Sequence, residues 1–270
     1  MQKNSSLIAL ATAITAGFVL FSACSKDRDD TETQSATDNG IAENEFSTIY
    51  SVMNNVIIRE PGTKKTSNLC PDVTVSDSLD PWPHSATLDF GTGCLGDDGR
   101  YRTGQIELTI DKPWSQQGST VNARLVNYTV NGLKCTGTLT AVNQTAKGAN
   151  QQVYQYKVSD ASIELGDGTI TWQSTRTLTF LSGFATKDDR TDDIYEITGS
   201  SSGTNRKGTS YAVDITTPVH IDGSCKWIPS GVIELTPEGL ATRKVDYGDG
   251  TCDNKATVTI KGRSYQILLP

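Results

Sequence analysis

Three aspartates near the C-terminus, Asp246, Asp249 and Asp253, gather around a glycine turn. Carboxylate oxygens grouped in this way are the hard donors that calcium takes. The spacing matches no EF-hand loop, and Asp beside Gly is also the chemistry of an ordinary tight turn. Both readings stand, and calcium is the one metal the chain suggests. A hydrolase of glycans or esters would need two carboxylates facing each other across the substrate. Asp89, Glu234 and Asp246 are the acids to watch, and that chemistry follows only if two of them converge in a concave pocket. Gly199-Ser200-Ser201-Ser202-Gly203 has the spacing of a nucleophile elbow, with His220 and Asp222 downstream. An elbow needs strand, sharp turn and helix, and no helical pattern follows Ser201, so the serine run reads as a flexible turn. With two histidines in the chain, His84 and His220, imidazole acid–base chemistry has little material. Trp82, Trp114, Trp172 and Trp227 have rings that can stack on sugars, although core packing uses tryptophan equally well. No catalytic residue is assigned.

Any such site has to be held by β-structure. A short phrase (apolar, acidic, apolar, Gly, any, Gly, small) occurs at Leu88–Cys94, Ile163–Thr169 and Val245–Thr251. Each copy alternates like a half-buried strand and runs into glycines, where positive φ is cheap. Further alternating runs follow each copy, which suggests about three related β modules. Asn131-Gly132, Asp167-Gly168 and Lys261-Gly262 mark tight turns between such runs. Phe46, Ile49, Tyr50, Met53, Val56 and Ile57 instead recur at helical spacing, ahead of Pro61-Gly62. The expectation is an all-β antiparallel meander of a dozen or more strands, either a sandwich or one large curled sheet, with a single N-terminal helix capping an edge or an open end.

The N-terminus carries the marks of export. Lys3 precedes an apolar run from Leu7 to Phe21, too short to span a bilayer unaided. The run ends in Phe21-Ser22-Ala23-Cys24, which resembles a bacterial lipobox. That resemblance implies acylation of Cys24, loss of the leader and anchoring in a membrane. Residues 24–40 are polar, with seven charged side chains up to Asn39, and read as a disordered tether. The expected organisation is therefore 1–23 leader, 24–40 acylated cysteine and tether, 41–60 amphipathic helix, and 61–270 all-β domain.

Composition fits that compartment. The formal charge is −7 and the pI near 4.9, which argues against nucleic acid as a partner. Export also places the cysteines where disulfides persist. Cys70 precedes Cys94 by a distance similar to that between Cys225 and Cys252, so the expected bonds are Cys70–Cys94 and Cys225–Cys252, with Cys135 free and buried.

Val245-Asp246-Tyr247-Gly248-Asp249-Gly250-Thr251-Cys252-Asp253-Asn254 followed by an alternating terminal strand resembles the ending of uncharacterised lipoproteins of Bacteroidota. The Asp89-Phe90-Gly91-Thr92-Gly93-Cys94 segment and Thr217-Pro218-Val219 resemble that group too. Ser25 after the cysteine and the acidic tract behind it resemble outer-membrane, surface-directed lipoproteins; Asp77-Ser78-Leu79 resembles an O-glycosylation acceptor of the same bacteria. The lipobox, the acidic tether and the β modules, without a coherent catalytic set, lead to the expectation of a non-catalytic outer-envelope lipoprotein with a binding, adhesion or structural role, its partners the membrane and a glycan or envelope protein. The rivals are the paired-carboxylate hydrolase and a carrier of hydrophobic ligands inside a curled sheet. The resemblance implies a cell-envelope lipoprotein. It carries no established activity.

Overall fold

In the computed structural model, residues 30–57, 70–75, 81–186, 189 and 191–269 are described. Cys24, the expected leader and the Asp77-Ser78-Leu79 triplet lie outside them. One helix, α1 (Gln34–Ile57), precedes thirteen strands: β1 (Asp72–Val75), β2 (His84–Leu95), β3 (Tyr101–Ile110), β4 (Thr120–Val130), β5 (Leu133–Asn143), β6 (Val153–Leu165), β7 (Gly168–Ser182), β8 (Ile194–Thr204), β9 (Ser210–Asp222), β10 (Ser230–Pro237), β11 (Arg243–Asp249), β12 (Lys255–Ile260) and β13 (Arg263–Leu268). They form a single sheet in chain order, each pair antiparallel. The meander expected from the alternation is present; of its two variants, the single curled sheet is the one adopted.

The sheet has two unlike rims. Connections from even to odd strands (β2–β3, β4–β5 and so on) are two or five residues long. Those from odd to even strands run from five to eleven. At the short rim Asn131-Gly132 and Lys261-Gly262 have left-handed φ in both residues, the geometry that matches hairpin twist. Because the strand number is odd and every pairing is antiparallel, β1 and β13 run in the same direction. Closing the sheet on itself would need a parallel pair unlike any other in it, and the two remain edges.

Curvature comes from bulges. Register shifts occur at Gly91, Gly104, Gly137, Gly199 and Gly231, strand after strand. Gly104 shows why the residue must be glycine: with φ at 77°, a Cβ there would meet the Asn127 carbonyl oxygen at 2.2 Å. Gly199 is equally tight, 2.2 Å from the Thr175 oxygen.

The curled sheet wraps α1, whose contacts reach from the turn before β3 to Leu269 beyond β13. The helix therefore lies against the concave face and does not cap an edge. It also begins at Gln34, inside the stretch expected to be disordered tether. Ser35, Ala36, Asp38, Asn39, Gly40, Ile41, Ala42 and Glu43 are all buried. The Glu32 carboxylate accepts the Ser35 amide at 2.7 Å, satisfying one of the free N–H groups at the helix start. Gly40 is not the end of a linker but a point of close approach, 2.8 Å from Leu269 at its Cβ position. Apolar packing dominates further on, with Phe46 on Trp172 at 5.5 Å and Tyr50 on Tyr156 at 5.1 Å between ring centroids.

The repeated phrase holds its phase for only two copies. The first two end β2 and β6, four strands apart and parallel in direction. The third ends β11, five strands further, and points to the opposite rim.

Candidate functional site: a charged seam between helix and sheet

The concave face is where a curled sheet would hold a ligand, and here it holds the chain's own acids. Five arginines meet five carboxylates, four of those from α1 and the segment leading into it. Arg100 binds Glu45 through Nη1 at 2.9 Å and Asn44 through Nη2 at 3.2 Å. Arg102 donates to both oxygens of Asp98 and, through Nε, to the Tyr128 hydroxyl at 2.9 Å. Arg176 forks onto Glu43 at 3.0 and 2.5 Å. Arg206 grips Asp38 with side chain and backbone amide. Arg243 reaches the Glu32 carboxylate at 3.4 Å and donates to the Ala241 carbonyl. Arg102, Arg176 and Arg243 are among the largest fully buried side chains. Buried charge persists only when paired, and bidentate geometry favours arginine for the task.

The electrostatics follow the burial. Burial pushes the Glu45 carboxyl above its ordinary range, only partly offset by Arg100. Burial is also the largest single influence on Asp98, but the hydrogen bonds and charges of Arg102 and Arg100 together outweigh it and hold that carboxyl below the usual range. The Arg176 guanidinium would be lowered by burial, yet Glu43 raises it on balance. Five guanidinium groups thus face five carboxyl groups along the seam.

Alongside it lies a band of buried polar side chains: Tyr156 and Ser174, hydrogen-bonded to each other, and Asn39, Tyr50, Arg176 and Tyr211, of which Asn39 Nδ2, Tyr50 Oη, Arg176 Nη1 and Tyr211 Oη make no hydrogen bond among the described residues. Each of these residues is at most 4 % exposed. Tyr156 sits opposite Arg176 across β6 and β7, and Ser174 opposite Ser201 across β7 and β8. Ser201 Oγ accepts from Arg176 and donates to Asn39 Oδ1 at 3.3 Å. The band thus follows β6 to β9 beneath α1.

The residues singled out from the sequence are scattered. Asp89, Glu164 and Asp246 alternate with buried neighbours and face outward. Asp89 accepts the Gly91 amide and the Gln105 amide group, Glu164 pairs with Lys134, and Asp246 with Lys244. Glu234 is exposed on β10. No two of the acids proposed for hydrolysis share a concave pocket. Asp249 accepts from the Thr251 amide and hydroxyl, and Asp253 from the Lys255 amide. With Asp246 on the Gly248 amide, all three are turn devices. Among the described residues no group of three His, Cys, Asp or Glu side chains is placed to hold a metal, so the calcium cluster does not assemble.

The first glycines of the three phrase copies are Gly91, Gly166 and Gly248, and of these Gly91 and Gly248 have left-handed φ. Gly166 does not, and its role falls to Gly168, whose Cβ would strike the Arg206 carbonyl oxygen at 2.3 Å. The serine run is no loop either. Gly199–Gly203 lies within β8, Ser201 points into the seam, and His220 and Asp222 sit along β9 opposite Glu196 and Ile194. No elbow exists there.

Both expected disulfides are present, Cys70–Cys94 and Cys225–Cys252, and Cys135 is free. Burial pushes its thiol up to about 12, which leaves it unreactive. The tryptophans divide. Trp172 donates to Asn39 at 3.1 Å inside the seam, and Trp114 stacks on Tyr154 in an aromatic row with Phe180 and Tyr195. Lys226 lies over Trp227. Trp82, stacked on His84 at 3.8 Å, remains 37 % exposed on the long-loop rim, as do Leu181 and Phe184. Composition alone could not have revealed the seam, since its acids and arginines read as surface charge. No known protein family, curated protein or solved structure matches this chain.

Proposed function

We propose that this chain is a non-catalytic lipoprotein of the bacterial outer envelope, anchored through Cys24 and serving a binding, adhesion or structural role. The observation that supports it most is the filled concave face. A hydrolase needs an open cleft with converging acids, and a carrier of apolar ligands needs an empty apolar cavity. Here α1 occupies that space, and its acids are committed to arginines. The two disulfides fit an oxidising compartment outside the cytoplasm, and the lipobox resemblance supplies the anchor.

Exposed apolar side chains remain at both rims, Trp82, Leu181 and Phe184 on the long-loop side and Leu95, Tyr101 and Leu240 on the short one. Among them, the exposed Trp82 ring is of the type that stacks on a glycan or packs on an envelope protein. The test is a glycan array probed with the mature chain and with Trp82→Ala, followed by a turnover screen on glycosides and esters. Saturable binding weakened by Trp82→Ala supports the reading. Turnover that disappears in Asp89→Asn or Asp246→Asn overturns it in favour of the hydrolase.

A further inference from the structure

The chain enters the fold at one rim of the sheet. Thr31 is exposed, and full burial begins at Ser35. The partners of this entry all stand on the short rim. Asn205 donates to Ser35 Oγ at 2.9 Å and the Arg206 amide to Asp38 at 2.7 Å, both from the β8–β9 turn. Arg243, the first residue of β11, donates to the Glu32 carbonyl at 3.2 Å. Glu32 is thereby fixed at that rim, eight residues from Cys24. Eight residues span at most about 26–29 Å, however they are arranged. The eleven residues of β8, from the rim where Ser35 is held to the one where Ile194 pairs with Ser182, cover about 36 Å. Seating the long-loop rim on a bilayer would hold Glu32 about that far above the lipid, beyond the span from Cys24.

We propose that the short rim is the membrane-facing surface of this protein, held near the lipid headgroups by the short span from Cys24, with the long-loop rim and Trp82 directed away from the bilayer. This rests on the acylation of Cys24 proposed above. A tether reaching to residue 40 would leave the domain free to turn; burial from Ser35 onward removes the second half of that length, and the freedom with it. The short rim also has side chains that suit a lipid surface. Leu95 and Tyr101 face each other across the end of the β2–β3 hairpin, 64 % and 48 % exposed, and Leu240 is exposed on the β10–β11 turn. Tyrosine favours the headgroup level, where its ring is apolar and its hydroxyl wet.

The test uses the acylated chain in vesicles of phosphatidylcholine and phosphatidylglycerol that include a lipid with a diazirine in its headgroup. Flotation reads the anchor, and photolysis followed by peptide mapping reads the face. Label concentrated in the short-rim turns, residues 96–100, 205–209 and 238–242, supports the proposal. Label concentrated in the long loops 111–119 and 144–152, or spread evenly over both rims, overturns it while the chain still floats, and the anchor reading then stands. A chain that does not float overturns both. A Gly/Ser spacer of about twenty residues after Arg28 raises the maximum span to about 90–100 Å. The preference for the short rim should then be lost, and an unchanged pattern would overturn the orienting role of the span from Cys24.

Discussion

At the scale of single residues, the buried arginines of this protein act through pairing. Arg176 and Glu43 are 1 % and 6 % exposed in their side chains, so removing one partner strands the other charge in the core. Arg176→Met should cost about 3–5 kcal/mol, read as a lower denaturation midpoint at unchanged slope. The double change with Glu43→Leu should recover most of the loss; a neutral single variant would show that the pair does not hold the helix. Glu45 gives a pH signature. Its folded pKa is raised, so the folded state binds the proton more tightly than the unfolded chain does. Wild-type stability relative to Glu45→Gln should therefore fall as pH rises from the usual glutamate range through the higher folded value. Asp98, held low by Arg102 and Arg100, works in the opposite sense: its contribution is present above the usual aspartate range and is lost as pH falls through its lower folded value. A pH series of urea melts on wild type and Glu45→Gln separates the two, and a difference that grows with pH would contradict the assignment.

At the scale of elements, disulfides secure loops beside a sheet that cannot close. Cys70–Cys94 ties the entry of the four-residue β1 to the far end of β2, and so fastens a short edge strand. Cys225–Cys252 joins two loops of the opposite rim, on either side of the β10–β11 hairpin. Each closes a loop of a size that contributes about 3 kcal/mol through the unfolded state. Cys225→Ala with Cys252→Ala should lower Tm by roughly 6–12 °C on that figure, checked by calorimetry under non-reducing conditions. An unchanged melt would mean that the loops are held by their other contacts.

At the scale of the whole molecule, a filled interior leaves recognition to the outside: the proposed anchor at Cys24 and the exposed rims. If Cys24 carries the acyl chains, Cys24→Ser should lose all incorporation of a palmitate analogue during metabolic labelling and should retain its leader. Label that persists in the serine variant would contradict anchoring at this residue. One acyl chain holds a protein only marginally, whereas two or more hold it stably, so fractionation of the two forms should differ sharply.

Local chemistry made much of this protein legible from sequence. Period-2 alternation and glycine turns depend on neighbours a few residues away, and β6 runs from Val153 to Leu165 as its pattern indicates. The cysteine spacing likewise identified both disulfides. What sequence by itself could not determine was the fate of the polar stretch before Ile41. Glu43 finds Arg176 at a separation of 133 residues and Ser35 finds Asn205 at 170, and without those partners Ser35, Asp38 and Asn39 read as solvated linker. The same holds for the serine run in β8, where ladder hydrogen bonds and the Arg176 contact outweigh a loop-like composition. Tertiary structure alone decided that thirteen antiparallel strands would curl around a helix. That outcome rests on bulges aligned across many strands, and on charges whose burial is affordable only once the sheet has brought their partners to them.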